Sequence, residues 1–183
     1  MVKEEAGGLP DSELVRLAKK GDREALDELC ARHVASVYRT CRAVLGDDDE
    51  AADATQACFV KAVRALPRFR GDASFRTWLL TIAGNEAKGV FRQRKRRAEQ
   101  ALESAGPLLS DRPEAGDVTE LNQEAERARA MVAKLPDKQR LAVTLRIDEG
   151  LSFREIGEII GSSEGAARVN YYHGIRRLRE MVT

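Results

Sequence analysis

Apolar side chains recur along this chain at three- and four-residue steps and strand-like alternation appears nowhere, so the periodicity predicts an all-α protein. The clearest run lies between Asp22 and Leu45. Leu26, Leu29, Cys30, His33 or Val34, Val37, Cys41 and Val44 fall on one face of an amphipathic helix, which Asp22 starts and Gly46 stops. Ahead of it, residues 1–10 read as a loose leader, and Asp11 or Ser12 opens a short helix that Gly21 ends. Behind it, Asp47, Asp48, Asp49 and Glu50 stand where acidic side chains complement an amino-terminal helix dipole. That third helix continues to Leu66 and ends at Pro67. Its apolar side is expected to run through Ala52, Thr55, Phe59, Ala62, Val63 and Leu66, which leaves Asp53, Gln56 and Lys61 outside.

The stretch from Gly71 to Arg97 joins two unlike halves in one helix. Ser74 can cap it, and Phe75, Trp78, Leu79 and Ile82 then form a stripe that needs a partner surface. From Lys88 the stripe gives way to Lys88, Arg92, Arg94, Lys95, Arg96 and Arg97 with no acidic residue among them, a density of charge suited to a phosphate backbone. A solvated basic helix end, favoured by the macrodipole, is the plainer alternative. Just before this helix the loop RFRGDA carries Arg68, Phe69, Arg70, Gly71 and Asp72. Such a loop can stack its ring on an unpaired base while arginine meets phosphate, or it can be an ordinary connection whose Phe69 packs inward.

Between Ala98 and Glu120 the periodicity fades among Gly106, Pro107, Pro113 and Gly116, the composition of a flexible linker. The chain therefore divides into a first helical domain over residues 11–97, a linker over 98–120 and a second helical domain over 121–183. In the second domain a helix from about Leu121 breaks at Leu135-Pro136, and another ends at Gly150. Ser152 caps a short helix, Gly161 turns, and Ser163 caps a last helix from Glu164 to Glu180. Short helix, glycine turn and longer helix make a helix-turn-helix. At about 100° per residue, Ala167, Tyr171, Gly174 and Leu178 share the buried stripe of the last helix. Val169 and Arg176 sit opposite, flanked by Arg168, Tyr172, His173 and Arg179, with Asn170 nearby. That face can enter a major groove, where arginine pairs with guanine, asparagine with adenine and an apolar group meets the thymine methyl. The alternative is an αα-hairpin used for protein contacts, for which exposed Val169 and Tyr172 would also serve.

Composition narrows the function classes. The 183 residues are 43% hydrophobic, enough for packed cores, and contain no apolar run long enough to cross a membrane, so no membrane insertion is expected. The sequence MVKEEAGGLPDSE lacks the pattern of a signal peptide, which places the expectation in the cytoplasm. A net charge of +1 with segregated basic and acidic clusters suggests two different partners. Cys30, Cys41 and Cys58 are expected as free thiols: Cys30 and Cys41 share a helix face but stand about 16 Å apart along it, too far to ligate one ion. The acidic cluster lacks the alternating ligands, central glycine and closing glutamate of a calcium loop. His33 has no paired nucleophile. No catalytic residue, metal site or cofactor is expected.

In order and spacing these elements resemble the extracytoplasmic-function (ECF) sigma factors of the bacterial sigma-70 family, from Asp11 to Glu180. AADATQACFVKAVRALPRFRGDASFRTWLLTIAGNEAK is similar to that family's second conserved region, and EGAARVNYYHGIRRLRE is similar in frame to its recognition helix. The resemblance implies a polymerase specificity subunit with no catalysis of its own, whose partners are core RNA polymerase, promoter DNA and an anti-sigma factor. It implies that Asp53 and Gln56 face the polymerase clamp. Arg68 to Asp72 would capture a flipped base of the minus-ten element, and Lys88, Arg92, Arg94 and Lys95 would follow the adjacent backbone. Arg168, Val169, Asn170, Tyr172, His173 and Arg176 would read the minus-thirty-five element. Ala57, Cys58 and Gly84 depart from the family's common residues, Gly84 standing where arginine is frequent. A free-standing helix-turn-helix regulator is the alternative, and it leaves Phe69 and the Asp53 face without a role.

Overall fold

The computed structural model describes residues 8–104, 127–128 and 130–182, so most of the expected linker and the start of the helix expected from Leu121 lie outside the described residues. The first domain holds α1 (Asp11–Ala18), α2 (Arg23–Leu45), α3 (Asp48–Ala65), a single 3-10 turn (Leu66–Arg68) and α4 (Phe75–Ser104). The second holds α5 (Asp137–Ile147), α6 (Phe153–Ile160) and α7 (Glu164–Val182), preceded by helical residues 130–133. Two all-α domains result, as the periodicity requires.

Local chemistry sets the helix ends. The Asp22 carboxylate accepts the Ala25 N–H at 3.1 Å and the Asp47 carboxylate accepts the Glu50 N–H at 2.9 Å, so each satisfies an amide that the first turn leaves unpaired. The Ser74 hydroxyl does the same for Thr77 at 3.0 Å. Gly46 closes α2 in the left-handed conformation at φ 70°, where a Cβ would be strained. Helix α4 runs past Ala98 to Ser104, through AEQALES, a segment rich in strong helix formers.

Helices α2, α3 and α4 enclose the first core, with Leu29, Val37, Cys41, Cys58, Leu79 and Leu80 fully buried. Of the two candidates on α2, His33 takes the buried position and Val34 is exposed. The imidazole sits 5.5 Å from the Phe75 ring and its Nε2 lies 2.6 Å from the Asp11 carboxylate, which pins α1 to α2. The buried side of α3 differs from expectation. Ala51, Ala54, Thr55, Cys58 and Ala62 point inward, while Ala52 and Val63 are exposed. The seam is built of small side chains because α3 lies close against α2 and α4, so the largest apolar residues do not mark it. Cys58 Sγ reaches the Leu79 carbonyl and Cys41 Sγ the Ala83 carbonyl, at 3.7 and 3.9 Å. Burial pushes these thiols up to about 12 and about 11, and all three cysteines are free.

The second domain is tightest at its helix-turn-helix. A Cβ on Gly157 would stand 2.9 Å from the Ser162 carbonyl oxygen and 3.1 Å from Ser163 backbone, atoms of the turn that cannot rotate away. Gly157→Ala should therefore destabilise the second domain by about 1–3 kcal/mol, the usual cost of forcing extra volume into a packed site. Urea unfolding followed by circular dichroism measures it, and an unchanged midpoint would mean that the turn has slack the structure does not show.

Candidate functional site

Three surfaces carry the sequence candidates. On α3, Asp53 and Gln56 are exposed as expected, and Val60 and Val63 join them at helical spacing, 50% and 41% accessible. Two valines beside an acid and an amide make a mixed stripe that suits a protein partner rather than a nucleic acid. Val63 was missed as a surface candidate because its hydrophobicity reads as core, and Val60 drew no notice.

The second surface is the loop between α3 and α4. Phe69 is half-buried, with its ring 4.9 Å from Trp78 and 6.0 Å from Phe75, so the ring packs inward in an aromatic cluster and stays partly accessible. Lys19 donates to the Phe69 carbonyl and fixes the loop from α1. Gly71 turns the chain at φ 81°. Arg68, Phe69, Arg70, Gly71 and Asp72 line one cleft of about 380 Å³ with Ala73, Thr77, Trp78 and Thr81, and Glu158 of α6 lines it from the second domain. The cleft sets two rings, Phe69 and Trp78, beside the exposed residues Arg68 and Arg70.

The basic half of α4 divides by task. Arg92, Lys95, Arg96 and Arg97 project outward. Arg94 is also exposed but donates to Glu50 at 2.7 Å and to the Leu45 carbonyl at 3.3 Å, closing the end of α2. Lys88 is half-buried and its ammonium donates to the Ile159 carbonyl at 3.2 Å; burial lowers its pKa, and Lys138 and Arg92 add to the effect. Thus Lys88 and Arg94, grouped by sequence with a phosphate-tracking set, have protein partners here.

The third surface is α7. Ser152 and Glu155 form a capping box at the start of α6, Gly161 turns at φ 69°, and Ser163 accepts the Ala166 N–H at 3.2 Å to start α7. Ala167 and Gly174 are buried, with Tyr171 and Leu178 half-buried along the same stripe. Val169, Tyr172, His173 and Arg176 face solvent together. Arg168 is exposed, bonded to Glu164 at 2.7 Å and stacked over Phe153 at 5.3 Å. Asn170 is turned onto its own helix, donating to the Ala166 carbonyl at 2.8 Å, and lies to the side of the face.

One buried charge sits outside all three surfaces. Glu149, in the turn between α5 and α6, has a side chain with no exposed area and accepts from Arg39 at 2.6 Å and from Arg76. Burial pushes its carboxyl up, but hydrogen bonds from Arg39, Ser36 and Arg76 override burial and hold it below the usual carboxylate range. Among the described residues no group of histidine, cysteine or carboxylate side chains could hold a metal, and no described helix is long and apolar enough to cross a membrane.

These surfaces fall within two matched family regions, sigma-70 region 2 over residues 29–97 and sigma-70 region 4 over residues 125–178. The RNA polymerase sigma-H factor of Pseudomonas aeruginosa is 33% identical over 94% of this chain and 91% of its own length. The ECF RNA polymerase sigma-E factor of Escherichia coli K12 is 34% identical over 95% and 93%. The chain belongs to the ECF sigma factors of the sigma-70 family. As a sigma factor it is a transcription initiation factor and not an enzyme. Two solved structures share its fold. CnrH in complex with the cytosolic domain of CnrY gives a TM-score of 0.71 at 23% identity, over 94% of this chain and 96% of that one. The sigma factor RpoE in complex with the anti-sigma factor NepR from Bartonella quintana gives 0.70 at 20% identity, over 85% and 95%.

Proposed function

We propose that this ECF sigma factor meets core RNA polymerase through the Asp53, Gln56, Val60 and Val63 stripe of α3. In this reading the Arg68–Asp72 loop takes a flipped base of the minus-ten element, Arg92 and Lys95 follow the backbone beside it, and the Val169, Tyr172, His173 and Arg176 face of α7 reads the minus-thirty-five element. It acts in the cytoplasm, where an anti-sigma partner restrains it, a reading supported by the complex of RpoE with the anti-sigma factor NepR. The observation that carries the assignment is the cleft beside Phe69: an aromatic floor, two exposed arginines and a direct continuation into a basic helix. Base extrusion costs a few kcal/mol of unstacking, and a ring that receives the base offsets that cost. Asn170 is placed outside the reading face because its amide is already bonded within α7.

Asp53→Ala combined with Gln56→Ala should weaken core polymerase binding while the far-ultraviolet spectrum stays unchanged, since neither side chain is packed. Fluorescence anisotropy with labelled sigma factor reads the affinity, and parental affinity in the double variant removes this stripe from the interface. For the loop, Phe69→Ala and Arg70→Ala should slow promoter opening more than initial duplex binding. Permanganate reactivity of unpaired thymines separates the two steps; opening at the parental rate would return the loop to a structural connection.

On α7, Val169→Ala and His173→Ala should change which minus-thirty-five sequence is preferred, by about 1–3 kcal/mol per base-contacting position. Arg179→Ala, on the basic flank, should instead weaken binding to all sequences and lower the salt slope by about one. Selection from a randomised promoter library with polymerase present distinguishes these outcomes, and an unchanged preference in both face variants would move the reading face elsewhere.

A further inference from the structure

The outward side of α7 has two unlike halves. His173 and Arg176 meet no aromatic ring among the described residues, whereas Arg168 and Tyr172 lean on a side chain of another helix. That side chain is Phe153, the first residue of α6. Its ring centre lies 5.3 Å from the Arg168 guanidinium, 6.3 Å from the Tyr172 ring and 5.5 Å from the Tyr171 ring. Arg146, in the last turn of α5, brings its guanidinium to 4.9 Å from the same centre and donates to the Leu151 carbonyl at 2.7 Å. Tyr171 and Tyr172 themselves meet edge to face at 5.3 Å. One phenyl ring thus collects side chains from both neighbouring helices beside the proposed reading face.

Local structure puts the ring there. The capping box of Ser152 and Glu155 fixes the first turn of α6, and Phe153 shares a stripe with Ile156, Gly157 and Ile160 at helical spacing. Those three are buried while Phe153 is half-buried, so it ends the core stripe in contact with charged and phenolic groups. Arg168 otherwise has only Glu164, one helical turn away at 2.7 Å, an exposed pair that is weak and screened by salt. A cation over a ring face gains an attraction of a different kind, from the ring quadrupole. The same attraction offsets the repulsion between two guanidinium groups gathered at one ring. A side chain already held in place has less freedom to lose when DNA arrives, which is worth about two- to tenfold in affinity for each side chain so ordered.

We propose that Phe153 is a positioning residue for minus-thirty-five recognition: its ring fixes Arg168 and Tyr172 on the outward side of α7, gathers Arg146 beside them, and acts on DNA binding through these groups. The proposal rests on the reading of α7 given above.

The test uses the full-length chain with core RNA polymerase and two promoter fragments, one carrying both elements and one that ends between them. Phe153→Leu, apolar but without a ring, should weaken binding to the longer fragment about two- to tenfold and leave binding to the shorter one unchanged. Phe153→Tyr, which keeps the ring, should recover most of that loss. Arg168→Ala should weaken binding to the longer fragment too, and adding Phe153→Leu to it should cost clearly less than Phe153→Leu alone, the mark of one residue acting through the other. A residue that only fills space in the core would give additive losses. Parental affinity in Phe153→Leu, or additive losses in the double variant, overturns the proposal. If Phe153→Leu does not fold, NMR relaxation of the Arg168 Nε–H group in the parental chain decides instead: restrained motion is expected, and motion as free as that of the exposed Arg177 overturns the proposal. A parental chain that binds the two fragments alike would overturn the reading of α7, and the proposal with it.

Discussion

Helix α4 is asked to bury two sides at once, and the rest of the molecule follows from how it does so. Leu79 and Leu80 are adjacent in sequence, about 100° apart around the axis, and both are fully buried. One turn later Ala83, Gly84 and Ala87 are buried as well. A helix covered from two directions must be narrow where the covers meet, because side chains longer than a methyl group would hold the neighbours apart. Here α2 and α3 approach one side, and the Cys41 and Cys58 thiols lie against the α4 carbonyls, while α6 approaches the other at Gly84. The same helix then emerges from both covers and becomes basic. Its buried half fixes the position of the Phe69 cleft, and its outer half aligns Arg92 and Lys95 with it.

That double burial also explains what could be read in the sequence and what could not. Punctuation was legible at most helix ends, the far end of α4 excepted: Asp22, Asp47, Ser74, Ser152, Gly161 and Ser163 stand at the helix ends because each does a local job that depends on few neighbours. The stripe of α7 was legible for the same reason, since one face of that helix is buried and the other is not. The wheel for α3 failed because its buried seam is alanine, threonine and cysteine, and Val63, the kind of residue a periodicity argument weights most, faces solvent. Glu149 and Arg140 gave no signal at all. Their partners are 110 and 97 residues away or thereabouts, and a charge that is buried by a distant element looks in sequence like any charge on a surface. The division of the basic stretch into outward residues and the bonded pair Lys88 and Arg94 was invisible on the same grounds.

Charge segregation has a structural as well as a recognitional meaning in this chain. The acidic cluster ahead of α3 is occupied with its own domain: Asp47 caps the helix, Asp48 accepts from Tyr38 at 2.7 Å and from Arg42, and Glu50 accepts from Arg94. These contacts tie the start of α3 to α2 and α4, which orients the exposed Asp53 stripe further along the same helix. Acidic side chains thus set the attitude of one proposed interface, whereas the outward basic residues of α4 constitute another. A modest net charge is compatible with DNA binding because the positive residues are gathered at one end of one helix.

The contact between the domains combines buried charge with apolar packing. Its polar contacts are guanidinium, ammonium and hydroxyl donors on carboxylate and carbonyl acceptors, and beside them Ile156, Ile159 and Ile160 of the second domain belong to the same apolar cluster as Leu79, Leu80 and Ala83 of the first. Removing one partner of a buried ion pair costs about 3–5 kcal/mol, yet the intact pair contributes little net stability because burial of the charges offsets their attraction. Such a pair enforces one arrangement strongly while holding it weakly. Glu149 has no exposed side-chain area and is held by two guanidinium groups, so its position is set by the pair, while the apolar side chains around Ile159 contribute burial. A wholly apolar interface would tolerate several registers, whereas the buried Glu149 pair admits one.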